Sequence, residues 1–192
     1  MTEKNKLEII IAGFGGQGVI LAGVILGVAA AVHDGKNVTQ TQSYGAESRG
    51  GAARSEVIIS DAKIGFPEVE ECDVLVAMSQ EALNKHASTV RENGAIIVDG
   101  DLVKDRPPKA QTSLFKIPAT RMSDERFGTK IYANMIMLGA LAKLTAATTT
   151  EAMRKAVSEN VPKRSERENL EALELGISYA EKQEKQWTSD DR

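Results

Sequence analysis

The chain has 192 residues, enough for one domain with a core able to fold by itself. Its 24 Lys+Arg and 27 Asp+Glu leave 24 − 27 = −3, and aromatic residues make up 4%, so nucleic acid and anionic lipid find no general attraction and few rings to stack on. The single cysteine, Cys72, excludes an internal disulfide and cannot supply the four thiolates of an iron–sulfur cluster, and with only His33 and His86 beside it a zinc site lacks ligands.

Residues 1–6 carry charges of both signs, and a glycine cluster breaks the apolar stretch after them, which is not the pattern of a secretory leader. The longest apolar run, 19–32, is short of the roughly 20 residues that span a bilayer. A soluble, cytoplasmic chain without membrane contact is expected. Residues 7–12 (Leu-Glu-Ile-Ile-Ile-Ala) read as a strand covered on both faces, because the apolar run is nearly continuous. The turn Gly13-Phe14-Gly15-Gly16-Gln17-Gly18 follows, and then a helix from about Gly16 to Val32, buried on nearly all sides and stopped by His33-Asp34-Gly35.

Residues 37–42 predict a second strand, 43–51 a polar loop, and 54–60 an alternating strand. Gly65-Phe66-Pro67 marks a turn. Cys72 reads as small buried filler ahead of a strand at 73–78, and Ser79 as the cap of a helix reaching about Val90, with His86 on its surface. Glu92-Asn93-Gly94 predicts a turn into a strand at 95–98. Arg106-Pro107-Pro108 is a rigid break, and 113–117 a last short strand before Pro118. The rest reads as helical. Residues 131–144 place Met135, Met137 and Leu138 in a core or interface, and helices follow at 151–157 and 165–184. Gly176 interrupts the last of these at roughly 1 kcal/mol relative to alanine. This order predicts one α/β domain over 1–182, Rossmann-like, with a mostly parallel sheet and helices on both faces, and a polar tail at 183–192.

Gly13, Gly15 and Gly18 form G-x-G-x-x-G directly after a predicted strand and at the opening of a helix. The first N–H groups of a helix have no internal partner, and together with the helix dipole they attract phosphate or carboxylate. Gly23 and Gly27 thin the helix so that it can lie close on its neighbour. The plainer alternative is that the glycines serve tight packing alone. A dinucleotide site also wants an acid at the end of the second strand, where this chain has Val38-Thr39-Gln40-Thr41-Gln42, and Asp34 lies before that strand. In the polar segment 40–55, Arg49 and Arg54 offer planar donor forks for phosphate or carboxylate, and Tyr44 an anchor. A solvated loop with Glu47 paired to one of these arginines is the alternative.

Taken together, Gly-Phe-Gly-Gly-Gln-Gly at 13–18, Thr-Gln-Ser-Tyr-Gly-Ala-Glu-Ser-Arg-Gly-Gly at 41–51 and Asp-Val-Leu-Val-Ala-Met-Ser-Gln-Glu-Ala at 73–82 resemble the gamma subunit of 2-oxoacid:ferredoxin (acceptor) oxidoreductases. The 43–51 form is most similar to the 2-oxoglutarate branch. The likeness is densest over 7–82 and continues through Asn134, Leu138-Gly139-Ala140-Leu141 and Val161-Pro162-Lys163. It implies an enzyme that converts a 2-oxoacid and coenzyme A to acyl-CoA and CO₂ and passes electrons to ferredoxin. It implies alpha, beta and ferredoxin-like delta partner subunits that hold thiamine diphosphate and [4Fe-4S] clusters.

For this chain the resemblance implies no catalytic or metal-binding residue of its own and a part in positioning coenzyme A. The residues expected there are Gly13, Gly15, Gly16, Gln17, Gly18, Ser43, Tyr44, Glu47, Arg49 and Arg54, with some of them facing partner subunits instead. The small-residue helix 19–32 could equally pack on a second copy, as a homodimer. A free-standing NAD(P)-dependent dehydrogenase is disfavoured by the missing acid. A non-catalytic Rossmann-like nucleotide-binding or assembly module stays open as the alternative.

Overall fold

The computed structural model describes residues 6–45, 51–105 and 112–190, with side chains as far as 183. Six strands, β1 (Lys6–Phe14), β2 (Asn37–Tyr44), β3 (Ala52–Ser60), β4 (Cys72–Ala77), β5 (Val90–Asp99) and β6 (Ser113–Ile117), form one sheet in the order β2-β3-β1-β4-β5-β6. β1, β4, β5 and β6 run parallel to their neighbours, whereas β3 is antiparallel to both β1 and β2. The helices are α1 (Val19–Val28), α2 (Gln80–His86), α3 (Ala119–Phe127), α4 (Ala133–Thr145), α5 (Thr150–Asn160) and α6 (Glu166–Asp190). α6 thus continues past Gln183, where a polar tail was expected to begin.

Side chains alternate across a strand, and here both faces are apolar. Ile9, Ile11, Val74, Val76 and Ile97 join α1 and α3 to α6 in one core. Ile10, Ala12, Leu75, Ala77, Ile96 and Val98 join Leu83 and Ala87 in a smaller one. This double burial is why the strands read as continuous apolar runs. Helices do cover both faces, but unequally, since α2 alone serves the second core. The turn expected at Glu92–Gly94 is a bulge inside β5, with Asn93 in the left-handed region (φ 63°).

Three features fix the frame around the functional edge. α4 and α6 cross so closely that a Cβ on Gly176 would lie 1.9 Å from the Ile136 carbonyl oxygen, and one on Gly139 would lie 2.2 Å from that of Leu173. Asp34 accepts from the Thr149 N–H (2.7 Å) and from both the Thr148 and Thr149 hydroxyls, and so ties the end of the first helical segment to the start of α5. At the opposite edge of the sheet, buried Glu8 is paired with Arg91 and with Lys6 (2.9 Å), and Arg91 also holds Asp73 at 2.6 Å. Burial works against the Arg91 charge, yet Glu8 and Asp73 outweigh it and raise its pKa.

Candidate functional site

β1 delivers the chain to the carboxyl edge of the sheet, and the glycine turn carries it into α1. The helix starts at Val19, three residues later than the sequence suggests, because Gly16 (φ 96°) and Gly18 (φ 72°) take left-handed backbone that other residues rarely adopt. Gln17 locks the turn from inside. Its Oε1 accepts from the Phe14 N–H at 2.6 Å, and its Nε2 donates to the Met78 carbonyl at 2.8 Å. The Gly15 N–H donates to Gly51 O (2.8 Å) and the Gln17 N–H to Phe14 O (3.1 Å). Asn134, at the start of α4, closes on Gly18 so tightly that a Cβ there would lie 2.2 Å from its Nδ2.

Of the expected cradle, Gly15 and Gln17 therefore spend their N–H groups internally. Among the described residues, no acceptor meets the N–H of Gly16, Gly18, Val19, Ile20 or Leu21. These donors sit where the helix dipole places about half a positive charge. Gly16 and Gln17 line a cleft of about 550 Å³ whose far wall is Leu102, Thr120, Lys130 and Ile131, from the ends of β5 and α3 and the approach to α4. It opens at the carboxyl ends of parallel strands, where open α/β sheets bind ligands.

The remaining described site residues lie elsewhere. Gly13, Ser43, Tyr44 and Arg54 line a separate cleft of about 200 Å³ on the α2 side, with Ser79, Lys85 and His86. Tyr44 is exposed, and Arg54 pairs with Glu56 at 3.0 Å. Glu47 and Arg49 lie outside the described residues. The turn thus divides the expected single site into two clefts.

Two expectations about single side chains meet different outcomes. Cys72 is fully buried, and burial pushes its thiol up to about 11, as befits inert filler. His86 is no surface residue: it is 6% exposed, and burial, with Arg54 and Lys85 nearby, pushes its pKa down to about 4. It shares a face of α2 with Ala82 and Leu83, three and four positions earlier, a spacing legible in the sequence. Its neighbour on β3, Arg54, was not.

The dinucleotide alternative fails on topology as well as on charge. The strand beside β1 is the antiparallel β3, which displaces β2 outward, and the Asp34 carboxylate is committed to Thr148 and Thr149. Among the described residues no helix is long and apolar enough to cross a membrane, and no group of His, Cys, Asp and Glu could hold a metal ion.

The model of the pyruvate ferredoxin/flavodoxin oxidoreductase family matches residues 8–179. The 2-oxoglutarate synthase subunit KorC of Methanocaldococcus jannaschii is 49% identical over 178 residues, which cover 92% of this chain and 95% of that one. The gamma subunit of a keto/oxoacid ferredoxin oxidoreductase from Geobacter sulfurreducens superposes with a TM-score of 0.79 at 43% identity, over 91% of this chain and 98% of that one. The 2-oxoglutarate:ferredoxin oxidoreductase from Magnetococcus marinus, with 2-oxoglutarate, coenzyme A and succinyl-CoA bound, superposes at 0.84 and 28% identity, over 93% of this chain and 32% of that one. The chain belongs to the pyruvate ferredoxin/flavodoxin oxidoreductase family.

Proposed function

We propose that the chain works as the gamma subunit of a 2-oxoglutarate:ferredoxin oxidoreductase, in which the free N–H groups of Gly16, Gly18 and the first turn of α1 hold a phosphate of coenzyme A. The observation that carries this reading is the set of unpaired main-chain donors at the start of α1, with Gly16 among them lining the 550 Å³ cleft. A preformed ring of backbone donors at a helix start suits a phosphate, and the related Magnetococcus enzyme has coenzyme A bound. Arg49, two residues before the Gly51 carbonyl that accepts from Gly15, supplies charge. Arg54 adds to it from β3, with Tyr44 lining the same cleft as Arg54.

Carbanion and electron-transfer chemistry belong to thiamine diphosphate and [4Fe-4S] clusters on alpha, beta and delta partner subunits in the cytoplasm. One cysteine fits that division of labour, since this chain builds no cluster.

The test compares Gly16→Ala with Gly16→Asp in the assembled enzyme. No atom lies within 4 Å of a Cβ at Gly16, so neither variant meets a clash, both pay for a side chain at positive φ, and the second adds a carboxylate. The expected result is a KM for coenzyme A about tenfold higher in Gly16→Asp than in Gly16→Ala, equivalent to about 1.4 kcal/mol, with the KM for 2-oxoglutarate equal in the two. Equal coenzyme A constants in the two variants would remove the turn from the ligand role. Arg49→Ala, titrated with coenzyme A, tests the loop separately.

A further inference from the structure

The cleft on the α2 side contains an imidazole with nothing to bind. His86 is 6% exposed, and no described residue offers either ring nitrogen a hydrogen bond. Thr39 Oγ1 is the one fully enclosed side-chain polar atom without a partner among the described residues, so the unpaired nitrogens of His86 are not sealed off, and the ring lines the cleft. Ring nitrogens left open in this way are free to take a partner that enters the cleft.

We propose that this cleft is an anion site in its own right, taking a phosphate or carboxylate group between His86, Lys85 and Arg54. Lys85 has no ion pair among the described residues, and the Arg54 guanidinium is only partly engaged by Glu56. Glu56 is itself tied to the Thr41 hydroxyl at 3.1 Å. Glu81, itself exposed, is the one carboxylate among the described lining residues.

Burial, reinforced by Arg54 and Lys85, keeps the imidazole neutral, so it serves as donor or acceptor. A bound anion supplies the counter-charge that lets it take a proton. A volume of about 200 Å³ fits one such group rather than a whole nucleotide, which needs upward of about 300 Å³. The glycine turn and the Gln17 side chain separate this cleft from the 550 Å³ one, so the inference does not depend on the coenzyme A reading.

The full chain has 2 histidines, so its ring resonances give one reporter and one control. Inorganic phosphate, added at neutral pH, is expected to shift the His86 ring saturably and to raise its titration midpoint by about one pH unit or more. His33, ion-paired with Glu159 at 3.0 Å, should stay in place. Lys85→Gln should weaken the apparent phosphate affinity about tenfold, while Gly16→Asp leaves it unchanged. A His86 signal that stays still, or moves only in step with His33, overturns the proposal. So does a response lost in Gly16→Asp and kept in Lys85→Gln, because the anion then sits in the glycine turn.

Lys85→Glu in the assembled enzyme separates the two sources of the group. Weakened assembly identifies a partner subunit's carboxylate, and intact assembly with a lost phosphate response identifies a free anion; both keep the cleft as the site. Intact assembly with the phosphate response retained overturns it.

Discussion

With its ring buried and its pKa pushed down to about 4 by burial and by Arg54 and Lys85, His86 stays neutral in the folded chain where the unfolded chain, at an ordinary 6.5, takes up a proton. The unfolded state therefore binds more protons between these values, and stability falls as pH drops from 6.5 towards 4. The span of 6.5 − 4 = 2.5 units corresponds to about 3 kcal/mol.

Asp34 acts lower down. Burial alone would raise it, but the hydrogen bonds from Thr148 and Thr149 and the charge of Lys36 bring it below 3.8, so its contribution is lost only as pH falls below that value. Asp99, raised above 3.8 chiefly by burial, works the other way and loses stability as pH climbs through its folded pKa. Denaturant unfolding at steps between pH 7 and pH 4 should show the His86 loss, and His86→Gln should flatten it. Cys72 was legible from composition and its apolar flank. His86 was misplaced because the strand that faces it, β3 with Arg54, is distant in sequence.

Among elements, the α4–α6 crossing is held by two glycines with no room for a methyl group. Gly176→Ala drives a Cβ into the Ile136 carbonyl and should destabilise the chain by about 3 kcal/mol, far beyond any gain in helix propensity. A thermal or denaturant melt measures it, and a stabilised variant would refute the contact. Read along the sequence, Gly176 looks like a flaw in a helix. Its purpose lies on another helix, at the Ile136 and Ala140 backbone, which periodicity does not report. Gly23 was legible as a thinning residue, and its absent Cβ indeed leaves room for Ser55 Oγ on β3. The polar α3, Ala-Thr-Arg-Met-Ser-Asp-Glu-Arg-Phe, has little apolar rhythm to mark its bounds in the sequence.

For the whole molecule, strand existence followed from apolar runs, but strand order did not. Nothing local says that β3 turns back antiparallel between β1 and β2. The same arrangement splits the residues of one expected site between two clefts, because Ser43, Tyr44 and Arg54 travel with the hairpin and Gly16 with α1. As one member of a larger enzyme, the chain purified alone should contain neither iron nor thiamine diphosphate and should not turn over 2-oxoglutarate. Metal analysis and a ferredoxin- or dye-reduction assay check this, and activity should return on mixing with the partner subunits.

Gln17 spans from the Phe14 N–H to the Met78 carbonyl, and so joins the first loop to the neighbouring strand without outside help. The bend that exposes Gly16 and Gly18 is consequently set before any visitor arrives. Association at that spot then spends little ordering entropy on the backbone, and empty and loaded forms should superpose there.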